Sequence, residues 1–223
     1  MSDALGVLGI KTAHLGRIYG EEGVGHNNPQ RLNRMYQQLS AGESRLDILQ
    51  QCDGLADYPV CCIDVVERLD KAYPGSLFVN VRRDNDLLRW LQSVERQFVG
   101  LQLLKQGASA NSEDQAFMKV MLAFREMTFQ TSRFDAALYE EAYHRYQAEV
   151  GGYFAERSDD LLSLELSQLG DDGFKMLAEF LQCGNVPNAP FPCSNEHSIR
   201  PREAFQSALR SGKITSQTGI APA

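Results

Sequence analysis

Apolar residues recur along this chain in two rhythms: short runs bounded by glycine or proline, and longer stretches at intervals of three and four. In VCCIDVVERLDKAYPG, Cys62, Val65, Val66, Leu69 and Tyr73 fall at helical spacing, and Pro74-Gly75 stops the pattern. That stretch predicts an amphipathic helix. SLFVNV follows at once, rich in β-formers and apolar on both faces, as a strand covered on both sides must be. A helix that passes directly into such a strand is the rhythm of an open α/β sheet.

The same reading extends to both ends. IKTAH, between Gly9 and Gly16, predicts a short buried strand, and GRIYGEEGVGHNNPQ after it is dense in glycine and polar enough to be a mobile loop. Arg31 to Gln51 predicts helix interrupted at SAGES, with Ser40 or Ser44 as the cap of the second piece. GLADYP is a brief strand ended by Pro59. Asp84–Lys105, Asp114–Thr128 and Arg133–Phe154 predict three helices, the last carrying Tyr139, Tyr143 and Tyr146 along one face as core residues. DLLSLEL predicts a second nearly continuous apolar strand, and DDGFKMLAEFL a helix with Asp172 at its start, where an acidic group suits the dipole. Beyond Cys183 the chain is punctuated by proline and then polar, with helical pattern only over Arg202–Leu209. The expected organisation is a single α/β domain over residues 1–197 and a polar, partly disordered tail over 198–223.

Composition narrows the function. The chain has 223 residues, 43% hydrophobic and 23% charged, enough to bury a core. Twenty-two basic against twenty-nine acidic residues give a net charge of −7, so neither nucleic acid nor an anionic membrane is the expected partner. An anionic ligand therefore needs a local site. No apolar run approaches the roughly 20 residues of a membrane helix. The five cysteines, Cys52, Cys61, Cys62, Cys183 and Cys193, are odd in number and include an adjacent pair, which fits neither a disulfide framework nor a zinc site. Reduced thiols in a cytoplasmic setting are expected.

Two blocks carry a family resemblance. ADYPVCCIDVVERLDKAYPGSLFVNVRRDNDLLRWLQSVERQF holds Asp57-Tyr58-Pro59, then Leu69, Tyr73-Pro74 and Phe78, then Arg82 closing a strand and Trp90 with Ser93 on the next helix. YFAERSDDLLSLELSQLGDDGFKMLAEFLQCGNVPNAPFPCSN holds Gly173-Phe174, Leu177, Phe180-Leu181, Pro187, Pro190-Phe191-Pro192 and Asn195. In this order the blocks resemble the sulfotransferases that use 3′-phosphoadenosine 5′-phosphosulfate (PAPS), over Leu5 to Asn195. The resemblance implies a P-loop-like α/β fold, an open parallel sheet flanked by helices, and sulfonate transfer from PAPS to a hydroxyl or amine, with no metal. It also implies that Arg82 and Ser93 bind the 3′-phosphate of the donor. An arginine at the carboxyl end of a parallel strand sits where open α/β sheets bind ligands, and its planar fork suits a phosphate. Arg82 and Ser93 stand farther apart than the family's usual spacing, so either RRDND bulges or Arg83 takes the role; pairing of Arg82 and Arg83 with Asp84 or Asp86 is the purely structural alternative.

The opening ALGVLGIKTAHLG imitates a phosphate loop through Gly6, Gly9, Lys11 and Thr12. Such a loop needs a strand before it and a helix after it, and here the strand-like IKTAH comes after. Ala4-Leu5, Leu8-Gly9, Thr12 and His14 instead resemble the family's first helix end and second strand. On that basis the chain is expected to be N-terminally truncated, starting just after the phosphosulfate loop, and Lys11 to open the second strand; a degenerate loop of Gly9, Lys11 and Thr12 is the alternative. A missing central strand would leave unpaired edges that favour aggregation or a homodimer.

Two further residues are candidates for catalysis. Asp57 closes a strand at the ligand edge, where it could accept the acceptor's proton, orient the substrate or simply turn the chain before Pro59. His14 ends its own strand and is a candidate base, with a satisfied interior histidine as the alternative. Glu21, Glu22 and His26 share the glycine-rich loop, whose glycines remove the helical geometry a metal would need; a lid or acceptor-contacting loop is expected there. His144 belongs to a solvated helix face, and His197 lies in the tail. The expected function is a PAPS-dependent sulfotransferase acting on a small molecule, glycan or protein, the alternative being an inactive binding protein of the same fold.

Overall fold

The computed structural model describes residues 1–22, 27–105, 112–170, 172–192 and 199–222. In chain order the elements are α1 (Ser2–Val7), β1 (Thr12–His14), β2 (Arg17–Ile18), α2 (Pro29–Ser40), β3 (Gly54–Ala56), α3 (Ile63–Ala72), β4 (Phe78–Arg82), α4 (Leu87–Lys105), α5 (Ser112–Phe129), α6 (Ala136–Tyr153), β5 (Leu161–Glu165), α7 (Gly173–Phe180) and α8 (Ile199–Arg210). Contacts group the chain into two compact units, Met1–Arg82 with Tyr146–Pro192, and Arg83–Arg145 with Cys193–Ala223.

The first unit holds all five strands. Among the described residues they form two small sheets: β1 pairs in parallel with β3 and antiparallel with β2, while β4 pairs in parallel with β5. Helices cover these sheets, so the unit is α/β, with the parallel pairing confined to two strand pairs. The predicted mobile loop after His14 begins as a hairpin, because Leu15 and Gly16 both take positive φ (49° and 78°). Two such residues form the tight turn whose twist suits adjoining strands. Leucine is a rare choice there, which hid the hairpin from the sequence. Neither Ser40 nor Ser44 caps the piece after α2, a 3₁₀ turn over Asp47–Gln50 with Leu46 at its N-cap. The buried Gln38 side chain fixes that turn instead, accepting from the Asp47 backbone and donating to its carboxylate.

The β4–β5 pair divides the core of this unit. One face, with Val79, Val81, Leu162 and Leu164, packs on Ala4 of α1 and on Phe174 and Leu177 of α7. At the start of the other face, Phe78 and Leu161 meet Val66 of α3 and Val150 and Phe154 at the C-terminal end of the α6 region. Nearby, Asp70 is buried and accepts hydrogen bonds from Arg157 and from the Tyr153 hydroxyl, both at 2.7 Å. Burial alone pushes the Asp70 carboxyl up, but these two hydrogen bonds and the Arg157 charge outweigh it and hold the group below its usual range.

In the second unit, Leu91, Phe98, Phe134 and Tyr139 form the buried cluster, with Phe129 stacked on Tyr139 at 3.8 Å between ring centroids. Helices α4 and α8 pack closely. The predicted tail helix, Arg202–Leu209, lies within α8. Buried Glu95 of α4 accepts from the Ser216 hydroxyl and from the Gln217 and Thr218 backbones, which ties down the chain after α8.

Two expected outcomes follow from this packing. A Cβ at Gly100 would overlap the Pro201 carbonyl, so Gly100→Ala is expected to destabilise the protein by about 1–3 kcal/mol in urea unfolding. Gly152→Ala, where a Cβ meets nothing, is the control without a clash and is expected to stabilise by up to about 1 kcal/mol, because alanine replaces a glycine inside α6. The folded Asp70 carboxyl titrates below its unfolded value, so its stabilisation is present at neutral pH and is lost as pH falls through the carboxylate range toward the lowered value. The thermal midpoint of the wild type should therefore drop on acidification below about pH 4, and Asp70→Asn should lose that part of the slope.

Candidate functional site

The chemistry of the first unit gathers where its parallel strands end. Register sets Thr12 against Gly54 and His14 against Ala56, so His14 is the last residue of β1 and Asp57 the first beyond β3. Asp57 has φ +66°, a left-handed conformation that aspartate tolerates better than most residues, and the chain turns there. The turn brings Asp57 Oδ2 to 3.9 Å from His14 Nδ1. The two residues singled out separately as candidates thus form a pair. Their side chains are 41% and 48% exposed, open to a substrate and well screened by solvent. With Asp57 on the Nδ1 side, Nε2 lies on the far side of the ring.

The ALGVLGIKTAHLG segment folds as α1, a left-handed Gly9 (φ +85°) and then β1. Lys11 directly precedes β1, and its backbone N–H donates to the Asp53 carboxylate at 2.9 Å. This segment is a helix–turn–strand, the reverse of the order in a phosphate loop.

Arg82 closes β4. Its partner in register is Glu165, the last residue of β5, and the Arg82 Nε lies 3.6 Å from a Glu165 carboxylate oxygen. One turn of the pleat earlier, Asn80 stands opposite Ser163 and exchanges hydrogen bonds with Gln147 of α6, the shorter at 2.7 Å. Asn80, Arg82 and Ser163 with Gln147, Ala148 and Gly151 line a cavity of about 290 Å³ within the first unit. Glu165, Asn80, Gln147 and Ser163 escaped the sequence reading. The alternation in LLSLE already puts Ser163 and Glu165 on one face, but which face opposes Arg82 depends on the register with β4.

Ser93 lies exposed on α4 of the second unit. Arg83, the alternative to Arg82, is half-buried; burial lowers its guanidinium below the usual value, against the opposing pull of Asp86. Its backbone N–H donates to the Tyr143 hydroxyl, which in turn donates to Asp84, both at 2.7 Å. Tyr143 thus fixes the start of RRDND. Glu21 accepts two hydrogen bonds from Arg31 (2.6 and 2.8 Å) and one from the Ile18 backbone. The Arg31 hydrogen bonds above all hold Glu21 below the usual carboxylate range, and the residue clamps the β1–β2 hairpin to α2. His26 and His197 lie outside the described residues. His144 is exposed and edge-on to the Tyr143 ring.

The family model described as a sulfotransferase domain matches residues 1–199. Among curated proteins no match to the chain is found.

Proposed function

We propose that this chain, which belongs to the sulfotransferase domain family, transfers a sulfonate group from PAPS to a hydroxyl or amine of an acceptor. The observation that carries the reading is that the parallel strands β1 and β3 end side by side, which brings His14, the last residue of β1, to Asp57, the first beyond β3, as a base and its orienting carboxylate. The reading includes a P-loop-like arrangement, which the parallel register of both strand pairs supports. The thiols of Cys52 and Cys183, in no disulfide among the described residues, support a reducing, cytoplasm-like place of action.

In this reaction the acceptor oxygen or nitrogen bonds to sulfur while the bond to the bridging phosphate oxygen breaks, and the electron pair departs on 3′,5′-adenosine bisphosphate. His14 Nε2 takes the acceptor's proton, and Asp57 faces the imidazolium that results, holding the ring in the useful tautomer. Arg82, exposed at the carboxyl end of β4, binds the 3′-phosphate through its planar fork. A doubly charged phosphate is the stronger partner for that guanidinium, so binding releases Arg82 from Glu165. For Ser93 on α4, a donor role toward phosphate rests on the resemblance alone.

Calorimetric titration with 3′,5′-adenosine bisphosphate tests the donor site. The wild type is expected to bind, Arg82→Ala to bind about tenfold or more weakly, and Glu165→Gln several-fold more tightly because the competing carboxylate is gone. No binding by the wild type, or binding indifferent to Arg82→Ala, overturns the assignment. The base is tested by kinetics: His14→Ala should lower kcat roughly 100- to 10,000-fold while leaving adenosine bisphosphate affinity unchanged.

A further inference from the structure

A second cavity, of about 310 Å³, lies between α4 and α5, wholly within the second unit. Gln102 and Lys105 of α4 form one wall, and Gln115, Met118, Lys119 and Leu122 of α5 form the other. The α5 residues share one helix face over two turns, a length of about 10 Å. None of the residues assigned to the donor or to the base lines this space.

The lining changes character along that length. Met118 and Leu122 rest on the buried cluster of Leu91, Phe98, Phe134 and Tyr139 and also face the cavity, which gives it an apolar floor. Methionine is unbranched and adapts to what it touches, which suits a floor that receives a flexible chain. At the other end Lys105, its side chain only 21% exposed, pairs with Asp114 in the first turn of α5. That ion pair ties the end of α4 to the start of α5. Lys119 is exposed at the rim and pairs with no acidic side chain among the described residues.

Charge then selects the occupant. Lys105 and Asp114 cancel, so the lining keeps one positive charge, that of Lys119, in a chain whose net charge is −7. A singly charged anion is matched there, while a cation is repelled. A carboxylate carries its charge on two oxygens, which the Lys119 ammonium and the amide N–H groups of Gln102 and Gln115 can satisfy together. The floor beside them asks for a hydrocarbon tail, each buried methylene strengthening binding about two- to fourfold. A lysine that lays its stem over apolar surface and keeps its ammonium at the rim lets one ligand touch both.

We propose that the α4–α5 cavity binds a medium-chain fatty carboxylate, with its head group on Lys119 and the two glutamine amides and its tail along Met118 and Leu122. The site is independent of the sulfonate-transfer reading, and neither needs the other. The test is isothermal titration of the full chain with decanoate below its micelle-forming concentration. Acetate supplies the head without the tail, and decyltrimethylammonium the tail with the opposite charge. The Met118 methyl resonance, assigned through Met118→Leu, locates the binding. Lys119→Glu inverts the charge and Gln115→Trp fills the cavity from its rim; both positions are exposed, and circular dichroism checks that the variants fold. Decanoate is expected to bind once per chain and to shift the Met118 methyl, octanoate to bind several-fold more weakly, and acetate and decyltrimethylammonium not to bind. Each variant is expected to weaken decanoate about tenfold or more. Should a variant misfold, the wild-type ligand comparison and the Met118 resonance decide alone. No binding of decanoate, equal binding of decanoate and decyltrimethylammonium, a Met118 methyl that does not move, or affinity unchanged in a folded Lys119→Glu protein overturns the site.

Discussion

Two strands that run parallel cannot be joined by a tight turn, and each parallel pair therefore needs a long crossover. In this chain that constraint organises nearly everything. The crossover from β1 to β3 contains the β2 hairpin strand and α2, while that from β4 to β5 contains α4, α5 and α6. Most of the second compact unit, Arg83 to Arg145, is thus the connection that the β4–β5 pairing demands. A parallel pair covered on its faces also leaves its carboxyl ends as the natural place for polar groups. His14, Asp57, Arg82 and Glu165 all stand at such ends.

Charge works locally in this molecule. With a net charge of −7 the chain repels polyanions at a distance, so the proposed capture of a phosphate has to rest on short-range contacts at a defined cation. In the proposed reading Arg82, exposed at the end of its strand, is that cation, and Glu165 facing it sets a threshold. A weak or singly charged anion gains little by displacing a carboxylate that is already in place. A phosphate monoester, with more charge and three acceptor oxygens, gains enough.

Helices and the β4 and β5 strands were legible because spacing and bounding residues agree on them. Leu69, Tyr73-Pro74 and Phe78 mark the passage from α3 to β4, and each lies where the pattern puts it. Arg82 at a strand end was readable for the same reason. The pairing of strands was not, since Ser163 and Glu165 acquire meaning only once β5 is registered against Asn80 and Arg82. Leu15 concealed a hairpin by taking a positive φ usually left to glycine or asparagine. His14 and Asp57 were both visible as candidates, yet their association depends on a parallel register and on the left-handed turn at Asp57, neither of which a linear pattern records.

The exposure of that pair bears on how it can act. At 3.9 Å, with roughly half of each side chain in water, the attraction between Asp57 and a protonated His14 is screened and does little on its own. On the proposed reading, an acceptor that settles over the strand ends removes that water. The same two groups, unmoved, then interact in a medium of lower polarity, where a carboxylate stabilises an imidazolium far more strongly. On the proposed reading, the arrangement favours proton transfer when an acceptor is present to be deprotonated.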